Sequence, residues 1–503
     1  MTVEVATTSE ALHRLTGAVV LPVAPEYRLD DSVSSAQGDL TAWVERAARA
    51  VGVVGRTGQV AVVPSPEGWQ ATRTVLAGLG GREQRTLSEI RRAAALTAKA
   101  AADAGERVLV WPVVALPACS TETVVQAIVE GVGLASYRFH RYRSSDAVSR
   151  IQQLVVAGTG SAIETGIRRG RIVYDAVNFA RDLTNEPGNL LDPERLSGIA
   201  WEVAQEVGLQ CSIYDRALLE ELGAGAILAV GQGSRREPRL VHLIYRPTEP
   251  ALTRVALVGK AVTFDSGGLS LKPAEGMERM KGDMAGGAVV LSVLRALPAL
   301  DLPIEVHGII AAAENLPDGD AFRPGDILRT LSGKTVEVIS TDAEGRLLLA
   351  DALTYAVQQD AHLLVDIATL TGACAVALGR GGSGLFATDE RARDLMLRAA
   401  SEVGERIWPL PLWDEYRDLL RSEHADLKNT AGRWGAAINA ALFLREFTGG
   451  RPWLHLDIAG PAWTDQAGPF GPPGATGHGV RTLLRFLELW TEQASGDNEG
   501  EAR

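Results

Sequence analysis

The chain has 503 residues, with 50 Lys and Arg against 62 Asp and Glu and a formal net charge of −12 at pH 7. Hydrophobic residues make up 46% and charged residues 22%, which excludes an intrinsically disordered chain and predicts two or three folded domains. The acidic balance argues against nonspecific binding to nucleic acid or to an anionic membrane, because both attract basic surfaces.

The cysteines and the apolar segments bear on the cellular compartment. Cys119, Cys211 and Cys374 are odd in number and form no CxxC pair, which argues against a disulfide framework and against a thiolate metal site. The N-terminal segment MTVEVATTSEALHRLTG has no basic stretch followed by an apolar run, and no segment supplies the ~20 apolar residues of a spanning helix. We therefore expect a soluble protein of a reducing compartment, the cytoplasm.

The first part of the chain alternates strand-like apolar runs with helical patterns, which predicts an α/β domain over residues 1–166. The strand candidates are GAVVLPV, VAVVPS, VLVWPVV and LVVAG, and LSEIRRAAALTAKAAADAG is a clear helix. We expect Arg91, Arg92 and Lys99 to form an exposed face of that helix. No catalytic cluster is visible here, so this domain is predicted to be a scaffold.

The small-residue segment GTGSAIETG marks the domain boundary. Beyond it we predict a larger α/β domain over residues 167–503, with a central, mostly parallel sheet, a linking helix at about 167–183 and a polar tail at about 494–503. The strand candidates are RLVHLIY, RVALVG, IEVHGIIAA, TVEVIS, AHLLVDIAT and WLHLDIAG, and the helix candidates are GAVVLSVLRALPAL and GRLLLADALTYAVQQ.

Three segments of the second domain place charged residues at strand ends and in glycine-rich turns, where α/β proteins build their sites. VGKAVTFDSGGLSLKP contains Lys260, Asp265 and Lys272, MKGDMAGG contains Asp283, and STDAEGRLLLADAL contains Asp342, Glu344 and Arg346. If the last segment is extended, its i, i+2 and i+4 side chains lie on one side. Four converging carboxylates would repel unless divalent cations neutralise them, which predicts a site for two metal ions.

Other interpretations remain open at this point. Taken singly, each segment is more typical of an acidic surface turn, and Arg346 could simply pair with Glu344. The histidines offer little competition as ligands, because they lie singly and show no HExxH-like spacing. We predict structural roles for His242, His307, His362 and His455.

Together, the three segments resemble the leucyl aminopeptidase family of dinuclear metallopeptidases, the M17 type. That family carries GKGxTFDSGG-like, MKxDMxGA and NTDAEGRL segments, which stand here as GKAVTFDSGG, MKGDMAGG and STDAEGRL in the same order. Further matches are ARDLTNEPGNLL, AAENLPDGDAFRPGD, DIATLTGA and HLDIAGPAW. The resemblance covers nearly the whole second domain, whereas the first domain matches only in length and α/β pattern.

The resemblance implies a ligand set and a mechanism. The metal ligands would be Lys260, Asp265, Asp283, Asp342 and Glu344, and they would hold two ions, Zn²⁺ or Mn²⁺, with Mg²⁺ or Co²⁺ as further candidates. Lys260 would bind as a neutral amine, with its pKa depressed by the ions. A metal-bridging water would attack the carbonyl, Lys272 would stabilise the oxyanion, and Arg346 would hold a bicarbonate ion as general base.

The implied reaction is removal of the N-terminal residue from peptides with a free N-terminus, with a preference for hydrophobic residues such as Leu or Met. The pocket for this first residue would be formed by Met280, Thr369, Gly372, Ala459 and Ala462, and the backbone at Leu370 would position the substrate. A homohexamer is also implied, with residues 1–166 as the domain that governs assembly. The alternatives are a Cys-Gly-type dipeptidase or a metal-dependent phosphoesterase, and an additional DNA-binding architectural role, which the net charge disfavours.

The chain departs from the family pattern at five positions. Ala261 replaces a Gly, Ser340 replaces the Asn of the signature, Gly287 stands where Ala is common, and Ala436 and Asn439 alter a helix start. None of them removes a predicted ligand. They leave the pocket shape and the ion preference open, above all Ala261, which adds a methyl group beside Lys260.

Overall fold

The computed structural model describes residues 3–33, 38–117, 119–144 and 150–501. The chain forms two compact units, one of Met1–Asn178 with Asp465–Pro473 and one of Phe179–Thr464 with Gly474–Arg503. The division after Asn178 falls inside a helix, twelve residues beyond the boundary that the small-residue segment predicts.

The first unit is built on a seven-stranded sheet. Its strands are β1 Glu4–Thr8, β2 Ala18–Ala24, β3 Arg28–Leu29, β4 Val60–Val63, β5 Arg73–Gly78, β6 Val108–Pro112 and β7 Gln153–Ala157. Its helices are α1 Gly38–Val51, α2 Leu87–Asp103, α3 Thr121–Ala135 and α4 Ser161–Asn185, the last of which continues into the second unit. The sheet order is β1-β7-β6-β2-β5-β4, with β3 beside β2, and the pairings from β1 to β5 are parallel. The four strand candidates correspond to β2, β4, β6 and β7.

The face of α2 that was expected to be exposed is only partly so. Arg92 and Lys99 are exposed, but Arg91 is 4% exposed and its Nε lies 2.5 Å from Glu130 Oε2 of α3. A charged residue can be buried when it has a partner of opposite charge, and that partner lies 39 residues along the chain. The expectation was therefore wrong for Arg91.

The second unit contains an eight-stranded sheet with flanking helices. The strands of this unit are β8 Gln210–Tyr214, β9 Arg239–Tyr245, β10 Arg254–Asp265, β11 Glu305–Asn315, β12 Ile327–Arg329, β13 Thr335–Glu337, β14 Leu363–Ala368, β15 Ser383–Ala387, β16 Ile407–Pro409, β17 Leu427–Lys428, β18 Trp453–Asp457, β19 Trp463–Thr464 and β20 Gly474–Ala475. Its helices are α5 Pro193–Val207, α6 Arg216–Leu222, α7 Gly225–Gly231, α8 Ala285–Leu300, α9 Gly345–Val357, α10 Gly372–Leu378, α11 Glu390–Val403, α12 Ala436–Arg445 and α13 Val480–Glu501.

The large sheet has the order β16-β15-β18-β14-β10-β11-β9-β8. Its four central strands, β18, β14, β10 and β11, run parallel, while β9, β8 and β15 pair antiparallel towards the edges. This confirms the α/β class with a central parallel sheet. The TVEVIS segment does not join this sheet, because β13 belongs to a separate three-stranded sheet with β12 and β17.

The central strands are apolar almost throughout because helices cover both faces of the sheet. Nearly every residue of β10 is buried, and α8 and α9 both pack against this strand. Since parallel strands end at the same edge, the carboxyl ends of β10, β11, β14 and β18 lie together. That edge carries Asp265, Asn315 and Asp457 as the last residues of three of these strands.

Two features of the helices bear on the sequence-based expectations. Within the described ranges, Met277–Leu300 is long and apolar enough to cross a membrane by length and composition, but 72% of its apolar 18-residue window is buried inside the fold. It is therefore typical of a core helix. The polar tail predicted from about residue 494 is helical to Glu501, as part of α13.

Candidate metal centre

The predicted ligands come from three parts of the chain that meet at the carboxyl edge of the sheet. Lys260 lies within β10 and Asp265 ends it. Asp283 lies in a 3-10 helix directly before α8, and Asp342 and Glu344 lie in the turn that leads into α9. Because β10 ends at this edge and both helices begin there, all five side chains line one cavity.

The segment from Asp342 to Arg346 is not extended, so the alternation argument was wrong in its geometry. Glu344 has helical backbone angles, with φ −74° and ψ −37°, and Arg346 lies in the first turn of α9. The three side chains nevertheless line the same cavity, because the start of α9 points at it.

A close approach of two turns places Asp342 beside Asp265. Thr341 Oγ1 donates to the carbonyl of Gly267 at 2.6 Å and accepts from the backbone N–H of Ser270 at 2.8 Å. Gly267 has φ +86°, and a Cβ at this position would lie 2.8 Å from Asp342 Oδ1. Only glycine allows both this backbone conformation and this approach.

Two lysines neutralise part of the negative charge. Lys260 Nζ lies 2.8 Å from Asp283 Oδ2 and 3.0 Å from Glu344 Oε1, and it donates to the carbonyl of Thr369 at 3.1 Å. Lys272 Nζ lies 2.7 Å from Asp265 Oδ2 and also pairs with Asp342. Four carboxylates thus share two ammonium groups.

The pKa shifts show that this charge balance is incomplete. Burial and the neighbouring Asp265 carboxylate together raise the pKa of Glu344 to about 8. Lys260 lowers this pKa, but by less than Asp265 raises it. Burial likewise raises the pKa of Asp283 to about 6, with a contribution from Asp265. Burial opposes a charged Lys260, but the carboxylates of Asp283 and Glu344 raise the pKa of Lys260 above its usual value. A neutral Lys260, as the resemblance implies, requires additional positive charge in the cluster.

The residues present fit a divalent metal site. Oxygen atoms of Asp265, Asp342 and Glu344 all lie within 4.8 Å of one another. Glu344 Oε2 is buried and has no hydrogen-bond partner among the described residues. A buried carboxylate oxygen without a partner is costly, and a cation is the partner that best offsets its charge. Carboxylates with one amine are ligands suited to Zn²⁺, Mn²⁺ or Mg²⁺.

The cavity beside these ligands has a volume of about 520 Å³. All six residues predicted to bind the substrate line it, together with Lys272 and Arg346; the six are Met280, Thr369, Leu370, Gly372, Ala459 and Ala462. Trp463 and Arg279 also line the cavity, and the sequence analysis had assigned no role to either of them. None of the four strand-associated histidines does so.

Arg346 is buried and only partly hydrogen-bonded. Its side chain donates through Nη1 to the carbonyl of Asn429 at 2.9 Å, while its Nε has no partner among the described residues. Burial lowers the pKa of Arg346 to about 10, so the guanidinium stays charged at neutral pH. Arg346 does not form the simple ion pair with Glu344 that was one of the open interpretations, since Glu344 Oε1 faces Lys260.

Four polar residues hold the site from behind. The sequence analysis assigned a role only to Thr369 among them, as part of the substrate pocket. Asn315 donates to Asp265 Oδ1 at 2.9 Å, and Thr369 Oγ1 donates to Asp283 Oδ1 at 2.7 Å. Asp457 accepts from the N–H groups of residues 370 and 459 at 3.3 and 3.1 Å, which positions the cavity wall. The strand-end rule could have found Asn315 and Asp457. Asn429 directly follows β17, a two-residue strand that the sequence analysis did not predict, so it offered no such signal.

Two departures from the family pattern offset each other. A Cβ added at Gly287 would lie 2.7 Å from the Cβ of Ala261, so the methyl group of Ala261 fills the space that an alanine at 287 would need. Ala261 is fully buried and faces α8 in this contact. The extra methyl group therefore packs between β10 and α8.

Comparison with known proteins agrees with this geometry. The model of the cytosol aminopeptidase family, catalytic domain, matches residues 178–484, and that of the family's N-terminal domain matches residues 20–146. A probable cytosol aminopeptidase of Solibacter usitatus is 45% identical over 441 residues, which cover 87% of this chain and 91% of that protein. A probable cytosol aminopeptidase of Aquifex aeolicus is 42% identical over 438 residues, covering 86% and 88%.

Solved structures show the same similarity. A tomato leucine aminopeptidase mutant matches with a TM-score of 0.86 and 33% identity, covering 96% of each chain. The bottromycin maturation enzyme BotP matches with a TM-score of 0.85 and 38% identity, covering 95% of this chain and 100% of that one. BotP has also been solved in complex with Mn, and that structure matches with the same TM-score.

Proposed function

Because this chain belongs to the cytosol aminopeptidase family, whose members are metal-dependent, we propose that it removes N-terminal residues from peptides, with a preference for hydrophobic residues such as Leu or Met. The observation that carries the proposal is the convergence of four carboxylates and two lysines on one wall of a 520 Å³ cavity. The other walls supply Met280, Ala459 and Ala462, whose small or apolar side chains suit a hydrophobic first residue.

Lys260, Asp265, Asp283, Asp342 and Glu344 would hold two divalent ions. These ions would supply Lewis-acid chemistry, polarising the scissile carbonyl and lowering the pKa of a water molecule. We propose Zn²⁺ or Mn²⁺ as the native pair. Asp283, which already accepts from Thr369, would also accept from the uncharged N-terminal amine of the substrate. A substrate with an acetylated N-terminus would lose this interaction.

Lys272 and Arg346 would act on the reacting groups. Burial opposes a charge on Lys272, but the Asp265 carboxylate raises the pKa of Lys272 above its usual value, so it is an ammonium at neutral pH. Its Nζ would donate to the carbonyl oxygen as negative charge develops there. The unpartnered Nε of Arg346 suits a small anion, and we propose bicarbonate, which would supply a general base beside the cavity.

The cellular setting rests on the resemblance and on the family name. We propose a cytosolic homohexamer that acts on peptides with a free N-terminus. A dipeptidase restricted to Cys-Gly would share the metal ligands, so a panel of first residues distinguishes the two functions. None of the described features favours the phosphoesterase or the DNA-binding alternative.

The test uses purified protein loaded with Mn²⁺ or Zn²⁺. Wild type should release Leu from Leu-Gly and from leucine 4-nitroanilide, and should leave acetyl-Leu-Gly intact. Lys272→Ala should lower kcat by at least about 100-fold, as the loss of an oxyanion-stabilising group does. Asp342→Ala should abolish activity and lower the bound metal, measured by mass spectrometry. Lys99→Ala is the control, because Lys99 is exposed on α2. Failure of metal-loaded wild type to cleave any free N-terminal residue would refute the proposal.

A further inference from the structure

Large apolar side chains stand exposed on segments that border the cavity or pack against those segments. Val376 is 88% exposed, Trp413 is 52% exposed and Trp434 is 78% exposed. Val376 directly follows Ala375 on α10, and Trp434 lies two residues before Ala436, and both alanines line the cavity. We call Val376, Trp413 and Trp434 the apolar rim. Exposed apolar residues grouped beside a cavity are typical of a binding surface.

The loop that carries Trp434 is held by defined contacts. Asn439 is fully buried on α12, and its Nδ2 donates to the backbone carbonyl of Trp434 at 3.0 Å. Gly435 has φ +59°, and a Cβ there would lie 3.0 Å from the ring of Tyr416, so this ring packs on the loop backbone. The backbone of Trp434 is therefore anchored although its indole is exposed.

The aromatic rings of the rim leave a surface free. The guanidinium of Arg433 lies 5.0 Å from the centre of the Trp434 ring, a cation–π contact that restricts the indole from one side. Trp413 stacks edge-on with Tyr416 at a centroid distance of 5.7 Å, and the same Tyr416 packs against Gly435. Trp413, Tyr416 and the Trp434 loop thus form one continuous aromatic surface.

The position of the rim indicates its occupant. The first residue of a peptide would fill the cavity, and its scissile bond would lie at the lysines and carboxylates. The next residue follows at only ~3.5 Å along an extended peptide, so it would lie against the residues that border the cavity. Its side chain would then meet the rim, where Trp434 offers an aromatic face.

We propose that the apolar rim binds the second side chain of the peptide and that Trp434 makes this enzyme prefer aromatic or large apolar residues there. This inference rests on the proposed aminopeptidase function and extends it to a residue that no metal or first-residue argument requires. Trp434 is a specificity-determining residue in this proposal and takes no part in bond cleavage. A second copy of the chain is the competing occupant of the rim.

The experiment compares Leu-Phe-Gly with Leu-Gly-Gly by the initial rate of Leu release. Wild type should show the higher kcat/KM on Leu-Phe-Gly. Trp434→Ala should lower kcat/KM for Leu-Phe-Gly by about 3- to 10-fold, the size expected for a lost aromatic pair, and should leave Leu-Gly-Gly unchanged. Trp201→Ala is the matched control, because Trp201 is 47% exposed on α5 and does not line the cavity.

The outcomes separate this inference from the proposed function. If wild type cleaves both peptides and Trp434→Ala keeps the same ratio of kcat/KM values, the rim does not bind the second residue and only this inference fails. An equal loss on both peptides, or a changed molar mass by light scattering, would assign Trp434 to folding or to a contact between copies and would also overturn it. If wild type cleaves neither peptide, the aminopeptidase function itself fails.

Discussion

Glu344 is the residue at which the metal requirement is most acute. Its side chain is 2% exposed, one carboxylate oxygen faces Lys260 at 3.0 Å, and the other has no partner among the described residues. Burial raises the pKa of Glu344 to about 8, so the surroundings disfavour the ionised carboxylate. A bound cation would offset this electrostatic cost, and an uncharged amide at this position would remove it without a cation.

Glu344→Gln should therefore separate stability from metal binding. In EDTA the variant should melt at the same temperature as wild type or slightly above it, because the neutral amide removes repulsion with Asp265 and Asp283. On addition of Mn²⁺ or Zn²⁺, wild type should be stabilised by ligand linkage and the variant much less. Differential scanning fluorimetry with and without metal measures both effects.

Glu202→Gln is the control for this change. Glu202 is exposed on α5 and pairs with Arg195 at 2.7 Å, so its loss should leave the metal response intact. A full metal-induced shift in Glu344→Gln would contradict the ligand assignment.

At the scale of elements, the contact between β10 and α8 positions Lys260 and Asp283 relative to each other. Ala261 and Gly287 meet in this contact. Relative to the family pattern, Ala261 adds a methyl group and Gly287 lacks one. A Cβ at 287 would lie 2.7 Å from Ala261 Cβ and 2.8 Å from Ile310 Cγ2, which is too close for either neighbour to stay in place. The contact between β10 and α8 thus has room for one methyl group at this point, and Ala261 of β10 contributes it.

A double-mutant cycle tests this exchange. Gly287→Ala alone should destabilise the protein by about 1–3 kcal/mol through overpacking. Ala261→Gly alone should cost about 1–2 kcal/mol, because it opens a space and adds a flexible residue to β10. The double variant should lose less than the sum, with a coupling of about 1–2 kcal/mol. Unfolding in urea, measured in EDTA, gives the free energies, and additive losses would show that the two positions do not exchange a methyl group.

At the scale of the whole molecule, a chain of hydrogen bonds ties four elements of the large sheet layer together. His307 Nε2 lies 2.7 Å from Glu305, His242 Nε2 lies 2.9 Å from His307 Nδ1, and the Tyr355 hydroxyl lies 3.0 Å from His242 Nδ1. Tyr214 joins through its hydroxyl at 2.9 Å from that of Tyr355. The predicted structural role of these two histidines agrees with this arrangement.

The carboxylate of Glu305, at one end of this series of hydrogen bonds, determines which nitrogen atoms of the two histidines carry protons. Glu305 pairs with Arg254 at 2.8 Å and with Arg246 at 3.4 Å, so its carboxylate accepts and His307 Nε2 must donate. His307 Nδ1 then accepts from His242 Nε2, and His242 Nδ1 accepts from Tyr355. Both imidazoles are neutral in this arrangement, and a proton added to either one breaks a hydrogen bond.

This arrangement predicts a loss of stability in acid. Burial, together with His307 and Arg246, lowers the pKa of His242 to about 4, against about 6.5 in the unfolded chain. The unfolded state therefore binds more protons between these values, and the free energy of unfolding should fall as pH drops from about 6.5 to about 4, by roughly 2–3 kcal/mol from this group. His242→Gln should lower the free energy of unfolding at pH 7 but should reduce its fall between pH 6.5 and 4.

Urea unfolding of wild type and variant at pH 7.0, 6.0 and 5.0 measures the slope. His424→Gln is the control, because His424 is exposed and, within the part of the chain that the structure describes, it forms a hydrogen bond only through its backbone N–H. If the free energy of unfolding of His242→Gln falls with decreasing pH as steeply as that of wild type, other groups cause the loss of stability in acid.

The periodicity of apolar residues was enough to predict most elements of both units, because a strand buried on both faces must be apolar throughout. Glycine-rich turns and strand ends likewise led to the three segments that carry the charged residues of the site, since α/β proteins build their sites where parallel strands stop. The resemblance to a known family then assigned Lys260, Asp265, Asp283, Asp342 and Glu344 as ligands. The sequence by itself thus determined the fold class, the ligand candidates and the family.

Only the tertiary structure decided what depends on distant partners. Arg91 is buried because Glu130 neutralises it from another helix, and Ala261 is accommodated because Gly287 lies opposite. The balance of charge around Glu344 and the proton order in the histidine chain likewise depend on distances of about 3 Å between residues far apart in sequence. Such contacts arise from packing, and no local pattern encodes them, because a hydrogen bond or a steric fit is set by both partners at once.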